Sequence, residues 1–168
     1  MEGNMNNTRK LTLTSILIAM NIVLSQIISI PIGPIKAFPM QHFINVLCAV
    51  FVGPWYGLAQ ALISSVLRNI FGTGSFFAFP GSMIGVLIAG IMYNKFRKIG
   101  FASLGEWIGT GIIGSICTIP MMFVMNIDLN SFMPIFYAFL INSFMGSMIA
   151  YFLLKLLDRR NLINKRNG

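Results

Sequence analysis

The run "CAVFVGPWYGLAQ", Cys48 to Gln60, decides how many times this chain crosses its solvent. Apolar residues press in from both sides, and only Gly53-Pro54 interrupts them. Proline lacks a backbone N–H, so it is tolerated in the first turn of a helix, where that donor has no partner in any case. The preferred parse ends one helix near Gly53 and starts the next at Pro54, joined by a tight turn. The competing parse is one long helix kinked at Pro54, which removes a span and reverses the side on which the C-terminus lies.

Composition identifies the solvent. Of 168 residues, 56% are hydrophobic and 10% charged, with a mean hydropathy of +0.79. A water-soluble domain of this length keeps much of its chain at the surface and has too little interior for so much apolar area. Lipid must therefore take the rest. A bilayer core of about 30 Å needs about 20 apolar residues per helix, and fewer where neighbours shield the segment. Six segments follow, at about 11–30, 41–53, 54–71, 80–97, 103–126 and 132–156, with a basic tail at 157–168. The first has a basic flank like that of a signal peptide, but no small-residue cleavage site closes it, so it is read as a retained helix.

Twelve Lys and Arg stand against four Asp and Glu. The basic residues flank apolar runs and form no aromatic-basic surface, which argues against a nucleic-acid partner. Six spans with the N-terminus inside place Arg9, Lys10, Lys95, Arg97, Lys98, Lys155, Arg159, Arg160, Lys165 and Arg166 on one side, and only Lys36 and Arg68 on the other. Ten against two is a strong positive-inside bias. The fold expected is an all-α integral membrane protein of one domain and six transmembrane helices, multi-pass in the cell membrane, with both termini cytoplasmic. Small residues at four-residue spacing, such as Gly81, Gly85 and Ala89, or Gly105 and Gly109, predict close helix packing.

Polar side chains are expensive in lipid and mark sites where they cluster. Lys36, Gln41, His42 and Asn45 follow the first helix, Arg68 and Asn69 end the third, and Asn126 ends the fifth, all near the outer face. The connection "FGTGSFFAFPGS", Phe71 to Ser82, adds phenylalanines at the same level. Together they describe a pocket of aromatic faces and neutral hydrogen-bonding groups. Catalytic and metal chemistry find little support. The single histidine has no Glu partner at helical spacing, Ser82 has no evident base, and Glu106 and Asp128 fall at opposite membrane faces. Cys48 and Cys117 lie inside apolar runs as packing residues. No GxxxxGK[ST] phosphate loop is present, so ATP could be used only through a partner.

The stretches "GPIKAFPMQHFINVL" (33–47), "GPWYGLAQALISSVLRNIFGTGSFFAFPGSMIG" (53–85) and "GEWIGTGIIG" (105–114) resemble the ThiW family, the thiazole-type substrate-binding (S) components of energy-coupling factor (ECF) transporters. The similarity runs from about Pro31 to Gly114. The resemblance implies a six-helix protein that binds hydroxyethylthiazole, the thiazole moiety of thiamine, from outside. It also implies a transmembrane coupling subunit and two cytoplasmic ATPases as partners, and no cofactor. In such proteins the loop after helix 1 closes over the ligand, which here is Gly33 to Asn45. A small-xxx-small pair on helix 1 meets the coupling subunit, here Ser15 and Ala19, where two alanines are usual.

A flat, polarizable thiazole could stack on Phe38, Phe76, Phe77 and Phe79, with Gln41, His42, Asn45 or Asn69 bonding its nitrogen and hydroxyl. Lys36 and Arg68 are less expected for a neutral alcohol. They suit a phosphorylated thiazole or orient the loop through backbone carbonyls, the role favoured here. The rival readings are an S component for another small vitamin or precursor, and a small membrane enzyme acting on phosphorylated lipid head groups.

Overall fold

Gly53 and Pro54 do separate two helices. The computed structural model describes residues 5–28, 30–32 and 35–160, and the side chains among these outside 30–37. The helices are α1 (Asn7–Ile27), α2 (Pro39–Phe51), α3 (Pro54–Ile70), α4 (Ala78–Phe96), α5 (Ile99–Val124) and α6 (Phe132–Arg159). Gly53 holds φ at +89°, a left-handed geometry that glycine adopts without the Cβ penalty, and Pro54 opens α3 in its first turn. The kinked single helix is thereby excluded.

A short hairpin interrupts the helical order. β1 (Ile30–Ile32) pairs antiparallel with β2 (Ile35–Ala37), in the register Ile30 to Ala37, Pro31 to Lys36 and Ile32 to Ile35. The segment after α1, read from sequence as an irregular loop, is thus a strand pair leading into α2. Asn142 of α6 ties down its end by accepting a 2.6 Å hydrogen bond from the Phe38 N–H.

α5 is not uniform. It is α-helical over Ile99–Ile108, π-helical over Gly109–Gly114, and resumes over Ile119–Val124 with Pro120 in that first turn. The wide turn coincides with three glycines pressed against neighbouring helices. A Cβ on Gly109 would lie 2.8 Å from the Gly85 Cα, and one on Gly105 would lie 2.8 Å from the Ala89 Cα. The small residues of α4 and α5 therefore let the two backbones meet, as their four-residue spacing predicts.

Burial is inverted relative to a water-soluble bundle. α1 buries Thr14, Asn21 and Ser25 and exposes Leu11, Ile16, Val23 and Ile27. On α5 the apolar Val124 is 83% exposed while Glu106 is fully buried. Such a surface is stable only against hydrocarbon, because polar groups seek one another inside and apolar groups face out. Among the described residues, α1, α5 and the segment Leu129–Arg159 are long and apolar enough to cross a membrane.

α2 lies at the centre. It touches every other helix, and all of its residues from Pro39 to Ala49 are buried. Thirteen residues rise only about 20 Å, less than the bilayer core of about 30 Å. Gly146 of α6 makes room for it: a Cβ there would meet the His42 Cβ at 2.7 Å and the Phe43 nitrogen at 2.8 Å. Gly146→Val is expected to lower stability by about 1–3 kcal/mol through overpacking and to displace His42. A thermal melt in detergent that matches the unmutated chain would contradict this packing.

Candidate functional site

The short α2 carries the polar residues Gln41, His42 and Asn45 into the bundle interior, where each is at least nine-tenths buried. Its N-terminus opens into a cavity of about 730 Å³. α1 contributes Ser25 and Gln26 to the wall, and Phe38, Gln41 and His42 form its floor. Arg68 and the connection Gly72–Ser75 form a second side, with Phe77 and Ser82 beside them. Thr110 of α5 and Ser131, Phe139 and Asn142 around α6 close the rest. Aromatic faces thus alternate with neutral donors and acceptors.

Behind this wall lies a buried carboxylate. Glu106 Oε1 accepts from His42 Nδ1 at 2.9 Å, Asn45 Nδ2 at 2.9 Å and Thr110 Oγ1 at 3.0 Å. Asn45 Nδ2 also reaches Ser82 Oγ at 3.0 Å, and Thr110 Oγ1 lies 3.0 Å from the Gly81 carbonyl. Nδ1 is the ring nitrogen turned to the Glu106 carboxyl, which leaves Nε2 as the imidazole's other polar atom. Glu106 therefore fixes the ring that lines the cavity without lining it. Its second oxygen, Oε2, has no hydrogen-bond partner.

On the other side, Arg68 donates to the Gln41 side-chain oxygen and, from Nη2, to the Thr73 carbonyl at 3.2 Å. The guanidinium lies 5.6 Å from the centre of the Phe38 ring, within reach of a cation–π contact. The backbone N–H groups of Thr73 and Gly74 both return to the Arg68 carbonyl at 2.9 Å, which folds this connection over the end of α3.

The residues singled out in the sequence divide into three groups. Phe38, Gln41, His42 and Arg68 meet in the cavity wall, and Asn45 stands behind it on Glu106. Asn69, Phe79 and Asn126 stand away from it. Asn69 donates to the Ser65 carbonyl at 2.8 Å and packs under Gly74; Phe79 stacks on Phe76; exposed Asn126 takes a left-handed φ of +52° after α5. The Lys36 side chain lies outside the described residues.

Glu106, Thr110 and Asn142 are the additions. A lone acid inside an apolar span, with a threonine four residues on, was the available signal for Glu106. The sequence places it apart from the outer cluster that includes His42, whereas packing brings the two side chains to 2.9 Å. Asp128, the other acid considered, is exposed and caps the turn before α6; the Asn130 backbone N–H and amide hold its carboxyl below the usual range. Among the described residues no three His, Cys, Asp or Glu side chains gather to hold a metal.

The bundle is similar to a solved structure described as the S component of a bacterial ECF transporter, at 20% sequence identity and a TM-score of 0.66, covering 92% of this chain and 96% of that one. At that identity the likeness speaks for the fold. No curated protein sequence matches. The family described as thiamine-precursor transporter protein (ThiW) matches over residues 11–160, which takes in α1 from Leu11 onward, the other five helices and every side chain of the cavity wall. With an S-component fold built around that wall, the chain belongs to the ThiW family of thiamine-precursor transporters.

Proposed function

We propose that this chain is the S component of an ECF importer that binds the thiazole precursor of thiamine, hydroxyethylthiazole, from outside the cell. The family makes it a transporter and not an enzyme, which removes the lipid-head-group alternative. The observation that carries the thiazole reading is the cavity itself. Phe38, Phe77 and Phe139 offer faces for a flat ring, and His42, Gln41 and Asn142 offer neutral partners for a ring nitrogen and a hydroxyl.

All six helices then lie in the cell membrane as one domain, with both termini and the basic tail cytoplasmic, in keeping with the ten-to-two charge bias. The hairpin between α1 and α2 forms the outer lid. Uptake draws on a transmembrane coupling subunit and two cytoplasmic ATPases, since the chain carries no phosphate loop of its own.

The test is binding of hydroxyethylthiazole, thiamine and the pyrimidine precursor to the purified chain. The thiazole should bind, and His42→Ala should weaken it by about ten-fold or more by removing a buried hydrogen-bonding partner. Selective binding of the pyrimidine or of thiamine would replace the substrate and leave the family standing.

A further inference from the structure

We propose that the cavity takes its thiazole ligand in an anionic form, with a phosphate-monoester or carboxylate oxygen seated on the guanidinium of Arg68. The ring identity rests on the thiazole reading above; the anion site rests on the charge pattern of the cavity.

Arg68 is 3% exposed and lines the cavity. Its partners are the Gln41 amide, the Thr73 carbonyl and the Phe38 ring, all of them neutral. No carboxylate lies within ion-pair distance of it among the described residues; Glu106 meets His42 instead. Glu106 is saturated on one oxygen by His42, Asn45 and Thr110. Among the described residues the guanidinium is therefore a buried cation with no carboxylate paired to it.

That arrangement needs a cause. Holding a loop carbonyl and a side-chain amide requires two N–H donors, and a neutral glutamine supplies two. A guanidinium has five, in a planar fork that matches phosphate and carboxylate oxygens, and its Nε has no partner. Burying an unpaired charge is costly, and an arriving anion offsets that cost with charge-assisted bonds that are roughly twice as strong as neutral ones. The loop-orienting contact to Thr73 and the anion site are compatible, because the first leaves most of the donors free. His42, on the same wall and backed by Glu106, supplies a second polar contact. The cavity also holds more than one small ring, leaving space for the anionic group.

The experiment compares pairs of ligands on the purified full chain by calorimetry. The set is hydroxyethylthiazole, its phosphate monoester, a methylthiazole carboxylate, and the hydroxymethylpyrimidine precursor as alcohol and as phosphate. The phosphate monoester or the carboxylate should bind at least about ten-fold tighter than the neutral thiazole. In Arg68→Gln the ratio of anionic to neutral thiazole affinity should fall to about one, both ligands being measured on the same variant, with a melting curve recorded to show that it is folded. The comparison on the unmutated chain decides the matter even where the variant does not fold.

Equal or tighter binding of the neutral thiazole overturns the anion site and leaves the thiazole reading intact. Preference for the pyrimidine phosphate, with no thiazole bound, supports the anion site and overturns the thiazole reading. No binding by any of the five overturns both.

Discussion

Glu106→Ala is expected to destabilise the protein by about 3–5 kcal/mol, because three buried donors each lose an acceptor at about 1–3 kcal/mol apiece, and to abolish ligand binding. Three donors converge on Glu106 Oε1 from two helices, His42 and Asn45 from α2 and Thr110 from the π-helical turn of α5. The alanine variant leaves His42 Nδ1 without a partner in a low-dielectric interior and reduces Asn45 to Ser82 and Thr110 to the Gly81 carbonyl, so each loses an acceptor beside a new void. Glu106→Gln should cost less, about 1–3 kcal/mol. Its amide oxygen can replace Oε1, but its NH₂ falls where Oε2 now has no partner, against Gly85. Both values are read from thermal unfolding in detergent, and binding from the thiazole titration. An alanine variant as stable as the parent would mean that this network does not hold α2 to α5.

The number and position of the helices were legible because lipid imposes long apolar runs and basic ends. Gly53-Pro54 could be read with confidence of mechanism: proline at a helix start and glycine at a left-handed turn leave few alternatives. Depth was harder to read. α2 reads as a span, yet its thirteen residues stop short of a full bilayer, so His42 sits level with Glu106 and not at the opposite face. Linear order gave no hint of that, since the two are 64 residues apart and meet only through packing. The cavity wall was legible where polar residues sat at a helix start, as with Gln41 and His42. It was not legible where Asn69 and Asn126 serve backbone geometry, a job asparagine does in the same sequence positions. The π-helical turn at Gly109–Gly114 could not be told from ordinary helix, because its glycines fit small-residue packing equally well.

Ala19→Trp should reduce uptake by about ten-fold or more, the loss that follows from weakening a partner contact by about 1.4 kcal/mol, while leaving ligand affinity and melting temperature unchanged. Ser15 and Ala19 are exposed, on the side of α1 turned away from its buried stripe of Thr14, Leu17, Asn21 and Ser25. The Ser15 hydroxyl already bonds the Leu11 carbonyl at 3.0 Å, so the face presents small groups and bare backbone without an unmet polar atom. In lipid such a face allows a second helix to come close and gain dispersion contacts that acyl chains do not supply. A tryptophan at Ala19 fills that space, yet it costs the isolated chain little because an apolar ring is at home in the bilayer. Uptake in cells that also produce the proposed coupling subunit and ATPases, against binding by the purified variant, separates the two effects. Ile27→Trp, on an exposed position further along the same helix, is the control and should leave uptake intact. Equal loss in both variants would point to a general defect of α1 in the membrane. Loss confined to Ala19→Trp places the coupling subunit on this face, and no loss in either moves the docking surface to another helix.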